Sequence, residues 1–356
     1  MKLSHGYLLQ TVLQRSNNNL DLVRLGCALL VIFGHSYLLL PAGSTPPPGW
    51  DWFTFLGYPG VYSASVAVKV FFFISGLLVT DSLVRKGSVS GFLISRILRV
   101  WPALTVLVIV TALAAGPLLT TWDCGDYFRS EATYRYLLHN LTLNTVDTLP
   151  GVFTDNPASG QVNGSLWTLR YEIAAYAWLL VVFAAGITRR RWLCTVLLVL
   201  VCADPLLPHP FLPTSQTGNP QIAYLPPCFG LGACLALWKE RVVLRWEYLL
   251  FGGIGFVIFR TTIFGPLLLL CLILLAALYF SATPWARRLH LPADISYGTY
   301  LWGFLVQQVV ASQLADAGFV VNLFCSVLIT LILAWGSWHL VEKPALGWTR
   351  RLTSRS

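Results

Sequence analysis

Apolar residues in this chain come in long blocks, separated by shorter polar stretches rich in Gly, Pro and aromatics. In such a pattern run length is more informative than helical or strand period. A block of about 20 apolar residues makes a helix long enough to cross a bilayer. The blocks predict helices near residues 20–40, 66–84, 97–119, 165–186, 192–204, 222–238, 246–260, 262–280, 295–313 and 319–341. The expectation is an all-α, polytopic integral membrane protein with about ten transmembrane helices, the short fifth being the weakest of them. Residues 1–19 then form a cytoplasmic N-terminal segment, 20–341 the transmembrane domain and 342–356 a cytoplasmic tail. No internal repeat stands out.

Composition agrees with the block pattern. The chain has 356 residues, 56% of them hydrophobic and 11% charged, with a mean hydropathy of +0.67. These values exclude an ordinary soluble domain. The net charge of +9 fits membrane orientation and gives no reason to expect nucleic acid. Arg15, then Arg85, Lys86, Arg96 and Arg99, then Arg189, Arg190 and Arg191 fall at alternate block ends. Lys239, Arg241 and Arg245, then Arg287 and Arg288, then Lys343, Arg350, Arg351 and Arg355 continue the series. Basic residues gather on the cytoplasmic side, so both termini are expected there. Without the short fifth span the later clusters would fall outside. The loops 41–65 and 121–164 are then external, and the second carries Asp123, Asp126, Glu131, Asp147 and Asp155 against Arg129 and Arg135. Residues 205–221 read as an irregular connection. The eight cysteines lack ligand spacing, so they read as small apolar residues, with neither a metal site nor a disulfide framework expected. The first 19 residues lack the h-region and cleavage site of a secretory signal.

Ionisable residues inside apolar blocks are the candidates for chemistry, because a membrane interior tolerates them at a cost. LDLVRLGCALLVIFGHSYLLL holds Arg24 and His35 with ten residues between them. Helical rise separates them by roughly 16 Å, placing Arg24 near the cytoplasmic face and His35 in the outer half. His35 is either a general base, its ordinary pKa lying near working pH, or a hydrogen-bonding partner for a neighbouring helix. Glu172, in GSLWTLRYEIAAYAW, falls at a similar depth. It either stabilises an imidazolium or pairs structurally with Arg170 or another arginine. Arg96 and Arg99 share a helical face at a cytoplasmic end, where guanidiniums bind phosphate or simply anchor the helix. Lys69, in KVFFFISGLLVTD beside Ser75 and Gly76, either snorkels or faces a cavity. Tyr297 and Tyr300 stand where an inner mouth would be, and Gln307 and Gln308 lie deeper, within reach of a substrate or another helix. Glu342 and Lys343 read as a helix end stopped by Pro344. Trp50, Trp52, Tyr58, Trp122 and Tyr127 suit either an interfacial belt or stacking on sugar rings.

In this order the segments resemble the membrane-bound acyltransferase-3 family, which O-acylates bacterial surface sugars. The resemblance rests on the Arg24–His35 spacing, FFFISGLLVT, SRILRVWPAL, SLWTLRYEIAAY, ISYGTYLWGF and HLVEKP, from about residue 18 to 346. One departure is Gly303, where many members carry a histidine. The 356 residues do not include the soluble hydrolase-like domain that some members append, so the expectation is that the protein completes transfer itself or hands on to a partner.

The resemblance implies an O-acyltransferase of the cell inner membrane. It assigns His35 as base or acyl relay and Glu172 as its partner or an acceptor ligand. Arg24, Arg96 and Arg99 become contacts for the phosphates of acyl-coenzyme A, with acetyl-coenzyme A the first candidate donor. No permanently bound cofactor or metal is expected. Arg170, Tyr297 and Tyr300 are candidate substrate contacts, Arg170 also for the oxyanion. The acceptor would be a polysaccharide, lipopolysaccharide or lipid-linked oligosaccharide, the other partners being the lipid bilayer and glycan-assembly proteins. Two readings from other classes remain: a transporter of a lipid-linked or anionic substrate, and a scaffold for glycan export. Neither paired broken helices nor a two-half repeat supports the first, and the second leaves Arg24 and His35 unexplained.

Overall fold

The computed structural model describes residues 6–39, 51–289, 291–314 and 317–353, the last five by their backbone alone. It is 74% helical. The named strands among the described residues are Tyr7–Leu8 and Val243–Leu244, an antiparallel pair.

A helix lies on each of the ten apolar blocks: α1 (Leu20–Ser36), α2 (Ser63–Lys86), α3 (Val89–Val110), α4 (Trp167–Ala184), α5 (Arg191–Ala203), α6 (Leu225–Leu237), α7 (Trp246–Phe259), α8 (Gly265–Ala282), α9 (Ser296–Gln313) and α10 (Gly318–Ser337). Among the described residues, five helical stretches are long and apolar enough to cross a membrane: Ser63–Lys86, Val89–Leu119, Pro220–Leu237, Gly265–Ala282 and Gly318–Trp348. Helix α7 is apolar but has only 14 residues.

The chain divides into two compact units. The first comprises Met1–Cys27, Trp52–Gly87 and Ala174–Pro292. At its centre α2 crosses α6 through glycines. A Cβ on Gly76 would lie 2.1 Å from the Phe229 carbonyl oxygen, and one on Gly232 would lie 2.1 Å from that of Phe73. Small residues let helix backbones approach this closely. Ser75 shares a 2.8 Å hydrogen bond with Tyr176, and Asp81 pairs with Lys239. Lys69 does not snorkel: it is buried, and its ammonium donates to Ser65 one turn earlier. Gly76→Ala is expected to destabilise the protein by about 1–3 kcal/mol, because backbone rather than a flexible side chain must yield. Thermal unfolding in detergent checks this, with Gly26→Ala, where a Cβ meets nothing within 4 Å, as the near-neutral control.

The second unit comprises Ala28–Asp51, Ser88–Ile173 and Ala293–Ser356. Ser88 caps α3 by accepting from Gly91 N–H at 3.1 Å. The helix continues through a π turn, Thr111–Ala115, to Leu119. The following segment is not a loose loop. It contains helices Cys124–Arg129 and Glu131–Leu141. Tyr127, Tyr136, Val152, Phe153 and Val162 enter one core with Leu104, Leu107 and Leu301. Tyr127 is therefore a core residue and not a surface platform for sugars. Its hydroxyl donates to the Ala112 carbonyl at 2.8 Å, inside the π turn, and sits where a Cβ on Gly116 would be. Trp52 and Trp122 are exposed, Tyr58 is bonded to the Arg260 carbonyl, and Trp50 lies outside the described residues.

Helix α9 is buried along almost its whole length and packs on α10. The chain does not stop at Pro344. A π turn, Trp338–Glu342, leads directly into the helix Lys343–Thr353. Proline is tolerated in the first turn of a helical segment, where its missing N–H is no loss, and a wider turn before it accommodates the ring.

Candidate active site

His35 lies in the last turn of α1 and is partly buried, its ring 5.1 Å from that of Phe304 on α9 in an edge-on contact. Its Nδ1 is buried and has no hydrogen-bond partner among the described residues. Two contacts bring α9 against this turn. A Cβ on Gly303 would lie 2.9 Å from Ile32 Cγ1, so a bulkier residue there would push the helices apart. Gln307, fully buried, donates to the Ile32 carbonyl at 2.8 Å and to Ser36 Oγ at 2.9 Å. Gly164 completes the wall, since a Cβ there would lie 2.9 Å from the Phe304 ring. Phe304 and Gly164 carry no titratable group, and the sequence offered no reason to single them out.

Gln308 turns to another task. Its amide donates to the carbonyls of Ala158 (2.8 Å) and Gln161, and its Oε1 accepts from Asn156 at 2.7 Å. Consecutive glutamines thus hold two different segments: one the turn carrying His35, the other the 156–161 loop.

The start of α4 is pinned to α9. Asn163 donates to the Leu301 carbonyl at 2.9 Å, and the Tyr300 hydroxyl donates to the Ser165 carbonyl at 2.7 Å. Thr168 Oγ1 lies 2.6 Å from the same hydroxyl. A tyrosine has one proton to give, so Tyr300 is occupied in fixing the entry to α4. Two residues beyond Thr168, Arg170 is exposed and folds over Tyr171, its guanidinium 4.7 Å from the ring. Glu172 is partly buried and engaged. It does not reach His35 through Nδ1, which has no partner among the described residues.

Arg96 and Arg99 differ sharply despite their shared face. Arg99 is enclosed: Nη2 meets Asp294 Oδ2 at 2.8 Å and Nη1 meets Glu342 Oε2 at 3.8 Å. Its carbon centre lies 5.6 Å from the Tyr297 ring, and the Tyr297 hydroxyl donates to the Val100 carbonyl at 3.0 Å. Both carboxylates are themselves held, Asp294 by Ser296 Oγ at 2.6 Å and Glu342 by Ser337 Oγ at 3.0 Å. Glu342, read from sequence as part of a helix end, is a buried ion-pair partner. Arg96 is partly exposed, with Ser95 Oγ 3.4 Å from its Nε. In the first unit, Arg24 is partly buried and pairs with Asp21 at 3.8 Å, one turn earlier.

This geometry assembles a buried imidazole edge backed by an aromatic ring and a fixed amide, and elsewhere in the same unit a partly exposed arginine close in sequence to an enclosed one. Residues 17–339 match the acyltransferase-domain family. The chain is also similar to the O-acetyl transferase of Shigella phage Sf6, at 26% identity over 93% of this chain and 96% of that protein. It is 28% identical to Nodulation protein 10 of Rhizobium leguminosarum bv. viciae, over 95% of each. No solved structure matches. With the family match covering nearly its whole length, the chain belongs to the acyltransferase-3 family of membrane proteins.

Proposed function

We propose that the protein is an integral-membrane O-acyltransferase that moves an acyl group, acetyl in the first instance, from cytoplasmic acyl-coenzyme A to a sugar hydroxyl of a surface glycan on the outer side. The observation that carries this reading is the buried Nδ1 of His35, without a partner among the described residues, within a chain of the acyltransferase family. In a neutral imidazole protonated at Nε2, Nδ1 is an acceptor. It takes the proton of the sugar hydroxyl as the oxygen attacks the thioester carbonyl. The tetrahedral intermediate then expels the thiolate, which recovers the proton from the imidazolium. Transfer through an acyl-His35 is the second route. Glu172 lends negative charge that favours the imidazolium, and Arg170 is the candidate for the oxyanion.

The donor's phosphates meet Arg96 first in this reading, because two carboxylates already occupy Arg99. Arg99 adds positive charge behind it, and Arg24 is the remaining candidate phosphate contact. The basic clusters support ten spans with both termini cytoplasmic, and with them a place in the inner membrane. The acceptor is a polysaccharide, lipopolysaccharide or lipid-linked repeat unit, delivered by glycan-assembly proteins. The likeness to the phage O-acetyl transferase supports acetyl as the group transferred.

Purified protein in lipid vesicles, given acetyl-coenzyme A and glycan, is the test. Thiol release that depends on glycan, together with a mass gain of one acetyl group per modified unit, is expected. Glycan movement across the membrane without acetylation would favour a transporter. Arg96→Ala is expected to raise the KM for acetyl-coenzyme A by about 10- to 100-fold, the loss of one charge-assisted hydrogen bond, with kcat little changed. Arg96→Lys should recover only part of this, since a lysine lacks the forked geometry. An unchanged donor KM would reject the phosphate contact.

A further inference from the structure

The amide oxygen of Gln307 is a second buried acceptor without a partner among the described residues, on the turn of α9 that faces His35. Its orientation is settled by chemistry. The Ile32 carbonyl only accepts, so the nitrogen end of the Gln307 amide must face it. Ser36 Oγ receives the other amide proton and passes its own to the Ile32 carbonyl at 2.9 Å. Both Nε2 protons are thereby used, and Oε1 is left as an acceptor in a fixed orientation.

Three relations place that acceptor at the candidate site. Ile32 and Ser36, which anchor the amide, bracket His35 in one helical turn. Phe304, one turn before Gln307 on α9, lies against the His35 ring. Gln307 itself has no solvent exposure. The packing of α1 on α9 does not require an amide here. Ile32 O is already the acceptor of Ser36 Oγ, and a methionine of similar length would fill the space. Buried amide oxygens are normally hydrogen-bonded, and one held fast without a partner invites an O–H from outside the chain.

We propose that Gln307 is a substrate-binding residue whose Oε1 accepts a hydrogen bond from a sugar hydroxyl adjacent to the one His35 deprotonates, so that the site selects vicinal diols. The inference rests on the acyl-transfer reading and names its acceptor class. In the reaction the diol's first hydroxyl gives its proton to His35 and gains the acyl group. The second keeps its proton and its hydrogen bond to Gln307 throughout, fixing which oxygen faces the thioester.

The test uses full-length protein in vesicles, acetyl-coenzyme A, and methyl hexopyranosides paired with monodeoxy forms lacking the hydroxyl next to the acetylated one. Wild-type protein is expected to lose about 10- to 100-fold in kcat/KM on each deoxy acceptor, the effect of one lost hydrogen bond to a buried acceptor. Gln307→Met should use parent and deoxy acceptors to within about threefold of each other, the neutral-bond contribution having been removed from both. Its KM for acetyl-coenzyme A should be unchanged. Gln307→Glu is the second variant. Its neutral carboxyl donates to Ile32 and retains an acceptor oxygen, so it should keep the discrimination. Equal use of both acceptors by wild type overturns the proposal, even if the methionine variant fails to fold. Undiminished discrimination by Gln307→Met also overturns it. If wild type acetylates no acceptor at all, the acyl-transfer reading falls as well, an outcome distinct from acetylation without discrimination.

Discussion

Replacing His35 with alanine is expected to lower acyl transfer by about 100- to 10,000-fold, the usual range for removal of a general base. The KM for acetyl-coenzyme A should barely move, because the imidazole acts on the acceptor hydroxyl and not on the nucleotide. Stability should also be little affected. Nδ1 has no partner among the described residues, and the ring's closest aromatic contact is Phe304. The loss of that edge-on contact costs about 0.5–1.5 kcal/mol beyond the buried area. Initial rates of acetyl transfer, measured alongside thermal unfolding, separate the two effects. A variant keeping more than about a tenth of wild-type turnover would remove His35 from the chemistry.

Arg99→Leu is expected to have the largest effect on stability, about 3–5 kcal/mol, because it leaves two carboxylates of low exposure without their cation. Asp294 and Glu342 would lose this cation while keeping their bonds to Ser296 and Ser337. Thermal unfolding in detergent should show the loss directly, whereas Arg96→Ala, at a partly exposed position, should cost much less. Neutralising the whole group in Arg99→Leu with Asp294→Asn and Glu342→Gln should recover much of the stability, since an apolar replacement of a buried ion network is often neutral. If the single Arg99 variant unfolds at the wild-type temperature, the cluster does not hold the fold together.

Run length located the helices because a bilayer demands long apolar segments whatever they pack against. Leu20–Ser36 and Ser296–Gln313 were legible on that ground alone. The 121–164 segment was not. Its buried residues on the helix Glu131–Leu141 are Thr133, Tyr136 and Asn140, a stripe too polar for a hydropathy count to flag. The same mixture made Tyr127 look like a surface aromatic. Arg96 and Arg99 were indistinguishable by spacing. What separates them is Asp294, 195 residues from Arg99 in sequence, together with Glu342. Pro344 was misleading for a different reason. A proline signals a helix end only if the turn before it keeps regular α geometry, and here that turn is π. Helical rise placed His35 and Glu172 at similar depths, but depth does not specify which way a side chain points around its helix. That is why Gln307, at the turn facing His35, was open between two roles until α1 and α9 were seen together.

The π turn at Trp338–Glu342 sets a limit on how this chain can tolerate change. In a regular α-helix the residues sharing a side are three or four apart, yet Ser337 bonds Glu342, five positions on. The i→i+5 closure of the turn brings the two onto one side. Deleting a single residue between them would leave the two four positions apart, so the helix could rewind to α geometry and still hold both on one side. Rewinding at full length would instead carry Glu342 and every later side chain about 100° around the axis, away from Arg99, although no residue of the latch had been altered. This short stretch should therefore accept loss of one residue, such as Leu340, which is 80% exposed, more readily than a substitution that restores regular winding at full length.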